Sequence, residues 1–136
     1  MLKLSKKIEY GLLAVQYVAT HPEKLVSAKE MSDKLNISFE FLSKTLQRLM
    51  KQGLVVSHQG IKGGYELAKS PEDISIADII IALEGNPSLV ECVKFDGAIT
   101  CGRAKECTIK KPLVIMQHKI NKILKTTTIA EITAHN

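Results

Sequence analysis

The order of three short segments between residues 27 and 67 constrains the fold most strongly. Ser27 and Glu30 predict a capping box at the start of a short amphipathic helix, because at this spacing each side chain can bond the other residue's backbone amide. Ser38 predicts the cap of a second helix, which Gly53 ends. Two β-prone runs around a glycine-rich turn follow, and this order predicts a winged helix-turn-helix.

Helical periodicity continues on both sides of this unit. Apolar positions from Ile8 to Ala19 predict a helix before it, and those from Ile76 to Leu83 predict another after it. Pro112 opens a longer predicted helix on an otherwise basic and polar segment. Its apolar stripe consists of Leu113, Met116, Ile120, Ile123 and Leu124. A stripe so far from the first core favours packing on a second subunit.

The predicted fold class is mainly α with a small β-hairpin, in which a winged helix-turn-helix is followed by a long C-terminal dimerisation helix. The chain divides into a winged helix-turn-helix domain at 1–84, a cysteine-bearing loop at 85–108, and the dimerisation helix with a C-terminal segment at 109–136. The loop is too long for a plain connector, because unstructured connections beyond about 15 residues are usually functional or disordered.

Composition and charge narrow the class of protein. Of the 136 residues, 45% are hydrophobic and 24% are charged, which is ordinary for one soluble globular domain. No apolar run approaches the roughly 18 residues of a membrane span, and the first residues lack a signal-peptide core, so we expect a cytoplasmic protein. Residues 1–70 hold 11 Lys and Arg against 6 Asp and Glu, whereas residues 71–136 hold 8 of each. A basic first half indicates a polyanionic partner such as DNA.

The predicted helix after Ser38 suits the major groove of DNA, where short polar side chains reach base edges and longer cations reach phosphates. Its candidates are Ser38, Glu40 and Ser43 for base or cap contacts, and Lys44, Arg48 and Lys51 for phosphate contacts. The candidates on the hairpin are His58, Lys62 and Gly63. Each residue alone also fits a solvated surface, but their combination on one basic half favours DNA binding.

Three cysteines, Cys92, Cys101 and Cys107, lie within the predicted loop. In a reducing cytosol this odd number favours metal ligands or a redox sensor over structural disulfides. Their spacing lacks the Cys-x2-Cys pair of most structural zinc sites, and three thiolates on one loop suit an iron-sulfur cluster better. Such clusters usually take four protein ligands, so the residues leave the fourth ligand open.

The three cysteines are also compatible with two other classes of function. A zinc-stabilised winged-helix interaction module and a thiol-disulfide switch both stay open as alternatives, because thiolates serve either purpose. The sequence contains no nucleophile-base pair, phosphate-cradling motif or acid pair, so we expect that the chain is not an enzyme.

Several of these motifs together resemble the IscR/NsrR/RirA-type winged-helix iron-sulfur transcription regulators of bacteria. The resemblance is carried by Gly60-x-x-Gly63-Gly64-Tyr65-x-Leu67, Ile74-Ser75-Ile76-Ala77-Asp78, the three cysteines and Thr128-Ile129-Ala130-Glu131-Ile132. It implies a homodimer on double-stranded DNA at a palindromic operator, with each recognition helix in a major groove and each wing in a minor groove. On this basis 1–84 would be the DNA-binding domain and 85–108 the cluster-binding loop.

The resemblance also implies a two-iron or four-iron cluster on the three cysteines, sensing redox state, nitric oxide or iron and cluster supply. Some members use a histidine three residues past the last cysteine as the fourth ligand, and here that position is Lys110. Others use an acidic residue near the start of the first helix, which corresponds to Glu9. Glu9 is therefore the candidate fourth ligand. The alternative for Glu9 is a surface ion pair with Lys6.

Overall fold

The structure of the protein is a computed structural model that describes residues 3–90, 93–99 and 108–135. Helices dominate these residues, and one short antiparallel hairpin accompanies them. In chain order the elements are α1 (Lys6–Ala19), α2 (Ala28–Leu35), α3 (Phe39–Lys51), β1 (Val55–His58), β2 (Gly64–Leu67), a 3-10 turn (Pro71–Asp73), α4 (Ile76–Glu84), α5 (Lys110–Thr126) and α6 (Ile129–Ala134). The prediction of a mainly α fold with a small β-hairpin and a long helix in the C-terminal part is confirmed.

Hydroxyl caps start most of the described helices, including α2 and α3, for which the sequence predicts them. Ser27 Oγ accepts the Glu30 amide at 3.0 Å, but the Glu30 carboxylate turns away to Tyr17 and Lys24, so the predicted capping box is only half formed. The reciprocal arrangement instead occurs at α4, where Ser75 and Asp78 bond each other's backbone amides at 3.1 and 2.9 Å.

One core lies between α1, α3, α4 and the hairpin. Its fully buried side chains include Val15, Met31, Leu42, Leu46, Leu49, Ile74 and Ile79. The C-terminal α6 returns to this core, because Ile129 is fully buried and its amide donates to the Ile74 carbonyl at 2.9 Å. None of the described helices is both long and apolar enough to cross a membrane.

The hairpin is held to the helices by its second strand. β1 and β2 pair with Val55 opposite Leu67 and His58 opposite Gly64. Tyr65 and Val26, which precedes α2, exchange backbone hydrogen bonds of 2.7 and 3.0 Å. A Cβ at Gly64 would lie 2.8 Å from the Val26 carbonyl carbon, so this close approach requires glycine. The wing is therefore fixed to the loop in front of α2.

Helix α5 begins earlier than predicted, and it carries two buried polar side chains that the sequence pattern does not predict. It begins at Lys110 rather than at Pro112, which lies inside the first turn, where its missing N–H has no intrahelical partner to lose. Its most buried side chains are the polar Gln117 and Asn121 rather than the apolar stripe. Within that stripe Leu124 packs on the core, whereas Met116 and Ile123 are 45% and 62% exposed.

Candidate nucleic-acid interface and cysteine segment

Helix α3 presents a polar and basic face because its apolar side is fully used by the core. Leu42, Leu46 and Leu49 are completely buried, and Thr45 joins them by bonding its hydroxyl to the Phe41 carbonyl at 2.9 Å. The 3.6-residue helical period predicts that these four positions, Leu42, Thr45, Leu46 and Leu49, share the buried side of the helix. The exposed residues Glu40, Lys44, Gln47, Arg48 and Lys51 therefore face solvent on one helix.

The candidate base-contact residues lie at the start of α3. Ser38 Oγ accepts the Phe41 amide at 3.4 Å, so its hydroxyl serves as the helix cap. Glu40 is exposed in the first turn, and Ser43 is half-buried one turn later. The start of the helix thus combines free backbone amides with short polar side chains, which suits contacts to phosphates and base edges.

Arg48 is bonded within the protein as well as facing solvent. Its Nη1 donates to the Leu83 carbonyl at 2.9 Å, near the C-terminal end of α4. A guanidinium carries five N–H donors, so this bond leaves others for a phosphate. Arg48 also lines, together with Lys44, Gln47 and Lys51, an open depression of about 230 Å³.

The wing tip is compact and carries a cation and an apolar side chain. The Gly63 amide donates to the Gly60 carbonyl at 3.0 Å, and a Cβ at Gly63 would clash with the His58 carbonyl. His58 Nε2 lies 2.9 Å from Glu66 Oε1 across the strands. Ile61 at the tip is fully exposed, next to the exposed Lys62. The sequence motif predicts the glycine-rich tip but does not predict that the apolar side chain of Ile61 is exposed there.

Glu30 on α2 is held by one residue of α1 and by one residue of the loop between the two helices. Tyr17 donates its hydroxyl proton to Glu30 Oε2 at 2.7 Å, and Lys24 Nζ lies 2.9 Å from the same oxygen. The Lys24 ammonium and the Tyr17 hydroxyl lower the pKa of Glu30. The carboxylate in turn raises the pKa of Tyr17, since it accepts the phenolic proton.

Glu9 lies on the exposed face of α1 and is paired. Its Oε2 is 3.2 Å from Lys6 Nζ, and the two side chains are 51% and 74% exposed. It also borders an apolar groove formed by Leu4, Leu12, Leu13 and Ile132. The sequence predicts this ion pair as the alternative to a ligand role for Glu9. The ligand role of Glu9 stays a prediction.

The three predicted cluster ligands, Cys92, Cys101 and Cys107, lie outside the described residues. Among the described residues, no group of three His, Cys, Asp or Glu side chains is placed to hold a metal ion. The parts of the predicted loop that are described surround Cys92 in sequence. Val93 is fully buried and pairs with both Val90 and Ile99, and the Lys94 amide donates to the Ala98 carbonyl at 2.8 Å.

Two buried amide side chains on α5 hold these flanking parts. Gln117 accepts the Leu89 amide at 2.8 Å and donates to the Pro87 carbonyl at 3.1 Å and to Asn121 Oδ1 at 2.8 Å. Asn121 donates to the Phe95 carbonyl at 2.6 Å. Sequence reasoning missed both residues. The sequence does place these two amide side chains four positions apart, so that they share one helix face and can bond each other.

The chain is similar in sequence and in structure to known transcriptional regulators. The model of the Rrf2 family, described as an iron-dependent transcriptional regulator, matches residues 4–135. The HTH-type transcriptional regulator NsrR of Shouchella clausii is 36% identical over 110 residues, which cover 80% of this chain and 73% of that protein. CymR, the global cysteine regulator of B. subtilis, has a similar structure, with a TM-score of 0.81, 30% identity and coverage of 100% and 99% of the two chains. IscR of T. potens has a TM-score of 0.76, 30% identity and coverage of 98% and 88%.

Proposed function

The chain belongs to the Rrf2 family of transcriptional regulators, and on that premise we propose that it binds a palindromic operator as a homodimer, with an affinity controlled by an iron-sulfur cluster. The prediction that the chain is a regulator and not an enzyme is confirmed by the same family membership. The observation that carries the proposal is the polar and basic face of α3 beside a compact wing. It occurs in a chain whose residues 4–135 match a family described as an iron-dependent transcriptional regulator.

On DNA, α3 would enter the major groove with its N-terminal end towards the bases. Glu40 and Ser43 would contact base edges, while Lys44 and Arg48 would contact phosphates. At the wing, Lys62 and the backbone of Gly63 would contact the sugar-phosphate chain, because the compact tip lets the backbone approach closely. Salt-sensitive phosphate contacts would supply much of the affinity, and α3 would supply the sequence preference.

The homodimer is supported by the apolar surface that α5 leaves exposed. Met116 and Ile123 are 45% and 62% exposed and share the predicted stripe. Exposed apolar side chains aligned on one helix face are typical of a helix-helix interface. A two-fold dimer would present two α3 helices to two half-sites, which is why the proposed operator is a palindrome.

The donor set fits an iron-sulfur cluster. Cys92, Cys101 and Cys107 supply three thiolates, and thiolates are the usual protein ligands of such clusters. Glu9 is the candidate fourth ligand, from the same chain or from the partner subunit. A bound cluster would supply a centre that reacts with oxygen or nitric oxide. To become a ligand, Glu9 would exchange its exposed ion pair with Lys6, at little cost in stability.

Helix α1 would carry the effect of that ligand to the DNA. Glu9 lies on α1, and α1 packs directly against α3 and α4. A bond from Glu9 would therefore restrict where α1, and with it α3, lies relative to the dimer axis. Since a dimeric reader depends on the spacing of its two recognition helices, gain or loss of this bond would change operator affinity.

The test begins with protein purified without air, followed by its visible spectrum and its iron and sulfide content. An operator would be selected from a random-sequence duplex library, and its affinity for cluster-loaded and cluster-free protein compared by fluorescence anisotropy at one salt concentration. We expect bound iron and sulfide, an inverted repeat and a difference in affinity.

The outcomes separate the parts of the proposal. Iron-free, colourless protein after reconstitution would remove the cluster and leave DNA binding. Stoichiometric zinc would favour the zinc-stabilised module, and a disulfide mapped after mild oxidation would favour the thiol switch. Equal affinities of loaded and cluster-free protein would remove the control mechanism alone.

A further inference from the structure

We propose that Gln117 and Asn121 are positioning residues for the cysteine segment, the predicted loop at 85–108. They bond the described backbone at 87–89 and at 95, which precede and follow Cys92 in the sequence, to α5. We call this pair the amide latch. The inference rests on the proposed function only where it concerns the cluster. Its structural part concerns the Cys92 thiol and can be tested in metal-free protein.

Both side chains of the latch are buried, so their hydrogen bonds are needed to offset the free-energy cost of burying polar groups. Gln117 is 1% exposed and Asn121 is 6% exposed, on a helix whose other polar side chains largely face solvent. A buried amide costs free energy unless its donors and acceptors are satisfied. Both Nε2 hydrogens of Gln117 have acceptors within 3.1 Å, and its Oε1 accepts a backbone amide at 2.8 Å. The hydrogen-bonding groups of the Gln117 amide are therefore paired with the backbone at 87–89 and with Asn121.

Those partners lie on both sides of Cys92 in the sequence. Gln117 bonds to Pro87 and Leu89, which precede it, and Asn121 bonds to Phe95, which follows it. Since the two amides are one helical turn apart and bonded to each other, they act as one rigid attachment. The backbone groups they bond belong to a non-helical segment, which has few partners of its own for them.

Two further contacts join α5 to the turn at 94–98. Lys125 Nζ lies 4.9 Å from the centre of the Phe95 ring. The His118 ring lies against Gly97, where a Cβ would be 2.7 Å from Nε2. One face of α5 therefore holds the turn at 94–98 as well as the segment at 87–89.

The segment has room to move when the latch is removed. Residues 85–89 and Gln117 line a cavity of about 460 Å³ between the start of α1, the end of α4 and α5. Loss of the latch would release the backbone towards this space without opening the core under α3. The latch would therefore set the place of the Cys92 thiol rather than the stability of the winged helix-turn-helix.

The test uses variants that keep the size of the side chain and remove its hydrogen bonds. Gln117→Met loses three hydrogen bonds and Asn121→Leu loses two, and neither introduces a buried charge. Gln52→Met is the matched control, because Gln52 is exposed at the end of α3, far along the chain from the latch. Metal-free reduced protein would be alkylated with N-ethylmaleimide, and the rate at each cysteine followed by peptide mass mapping.

We expect the alkylation rate of Cys92 to change at least about threefold in both latch variants relative to Gln52→Met, as for a segment that opens locally. Hydrogen exchange at the Leu89 amide should speed up in Gln117→Met, while exchange in α1 and α3 stays as in the control. Unchanged Cys92 and Leu89 rates in both variants would overturn the proposal. Faster exchange throughout α1 and α3 would also overturn it, since the pair would then stabilise the whole domain.

A second readout concerns the cluster. In reconstituted protein the latch variants should alter the visible circular dichroism of the cluster and lose it faster to a chelator, whereas Gln52→Met should not. An unaltered spectrum and loss rate, with cluster present, would overturn the positioning role. If unmodified protein takes up no cluster, the cluster part of the proposed function fails, and the alkylation and exchange rates still decide on the latch.

Discussion

Arg48 on α3 donates a hydrogen bond of 2.9 Å to the Leu83 carbonyl, near the C-terminal end of α4. A cation at this end of a helix also interacts favourably with the partial negative charge of its last carbonyls. The recognition helix is therefore attached to the point where the chain leaves the winged helix-turn-helix and enters the cysteine segment.

This bond makes Arg48 a structural residue as well as a candidate phosphate contact. We predict that Arg48→Ala lowers the free energy of unfolding by about 1 kcal/mol, since one hydrogen bond from a charged group is lost. Arg48→Lys should keep the salt dependence of DNA binding but recover only part of the stability, because lysine lacks the planar fork. Urea unfolding and anisotropy over a salt series measure the two effects. Full stability in Arg48→Ala would show that the bond contributes nothing in solution.

Lys62 at the wing tip should act through its charge. We predict that Lys62→Ala weakens DNA binding about equally for operator and unrelated duplexes and lowers the salt-dependence slope by about one. Lys122→Ala is the control, since Lys122 is exposed on α5 outside the apolar stripe and its removal takes away the same charge far from the wing. An unchanged slope in Lys62→Ala would place the wing away from the phosphates.

The pair of Tyr17 and Glu30 predicts a pH dependence of stability. The ammonium of Lys24 and the hydroxyl of Tyr17 lower the pKa of Glu30 below its ordinary value of 4.5, so the unfolded chain binds a proton more readily than the folded one. The contribution of Glu30 is thus present above the unfolded pKa and is lost as the pH falls through the folded pKa.

Glu30→Gln should therefore flatten the acid side of the stability curve and cost about 0.5–1 kcal/mol at neutral pH. Chemical unfolding at a series of pH values measures this. Glu23→Gln is the control, because Glu23 is an exposed carboxylate in the neighbouring turn. Parallel curves for Glu30→Gln and unmodified protein would mean that the pKa of Glu30 is the same in the folded and unfolded states.

The helices and the hairpin could be predicted from the sequence because local rules decide them. The 3.6-residue period identified Leu42, Leu46 and Leu49 as the buried side of α3, and Gly53, with φ of +76°, ends it where expected. Asn36 likewise ends α2 in the left-handed region, which suits a residue that tolerates positive φ.

What could not be predicted depends on partners distant in the chain. The Glu30 carboxylate accepts a hydrogen bond from the Tyr17 hydroxyl instead of the bond from the Ser27 backbone amide that a capping box requires, because packing of α1 on α2 brings the hydroxyl close. Gln117 and Asn121 are buried only because the segment at 87–95 brings backbone groups that need partners. The helical periodicity of α5 predicts which residues share a face of the helix. It does not predict which other part of the chain packs on that face.

The exposed part of the α5 stripe should hold the dimer together. We predict that Ile123→Glu weakens dimerisation at least about tenfold, because a carboxylate would enter an apolar interface without a partner. Lys122→Glu is the control, since Lys122 is exposed on the same helix but on a side away from the stripe. Sedimentation equilibrium measures both. Unchanged association in Ile123→Glu would show that the second copy does not cover this stripe.

Operator binding should follow the dimer. Two half-sites are read together only when two α3 helices are linked, so Ile123→Glu should lose operator preference while keeping weak binding to unrelated DNA. A monomeric variant that binds the operator as tightly as unmodified protein would remove the palindromic arrangement from the proposed function.

Glu9 and Lys6 offer a direct comparison between a ligand and a surface ion pair. Both side chains take part in the same exposed contact of 3.2 Å, so Glu9→Ala and Lys6→Ala remove that contact equally. If Glu9 serves only as the partner of Lys6, both variants should lose about 0.2–0.5 kcal/mol of stability from this ion pair and have the same cluster spectrum. Lys6→Ala also removes the ammonium that lies 5.8 Å from the centre of the Tyr10 ring, so the cluster spectrum is the deciding measurement. We predict instead that only Glu9→Ala changes the visible spectrum of the reconstituted protein and speeds cluster loss, because it alone removes an oxygen donor. Identical spectra in both variants would give the fourth position to a solute or another residue, and the link from cluster to α3 through α1 would then have to be abandoned.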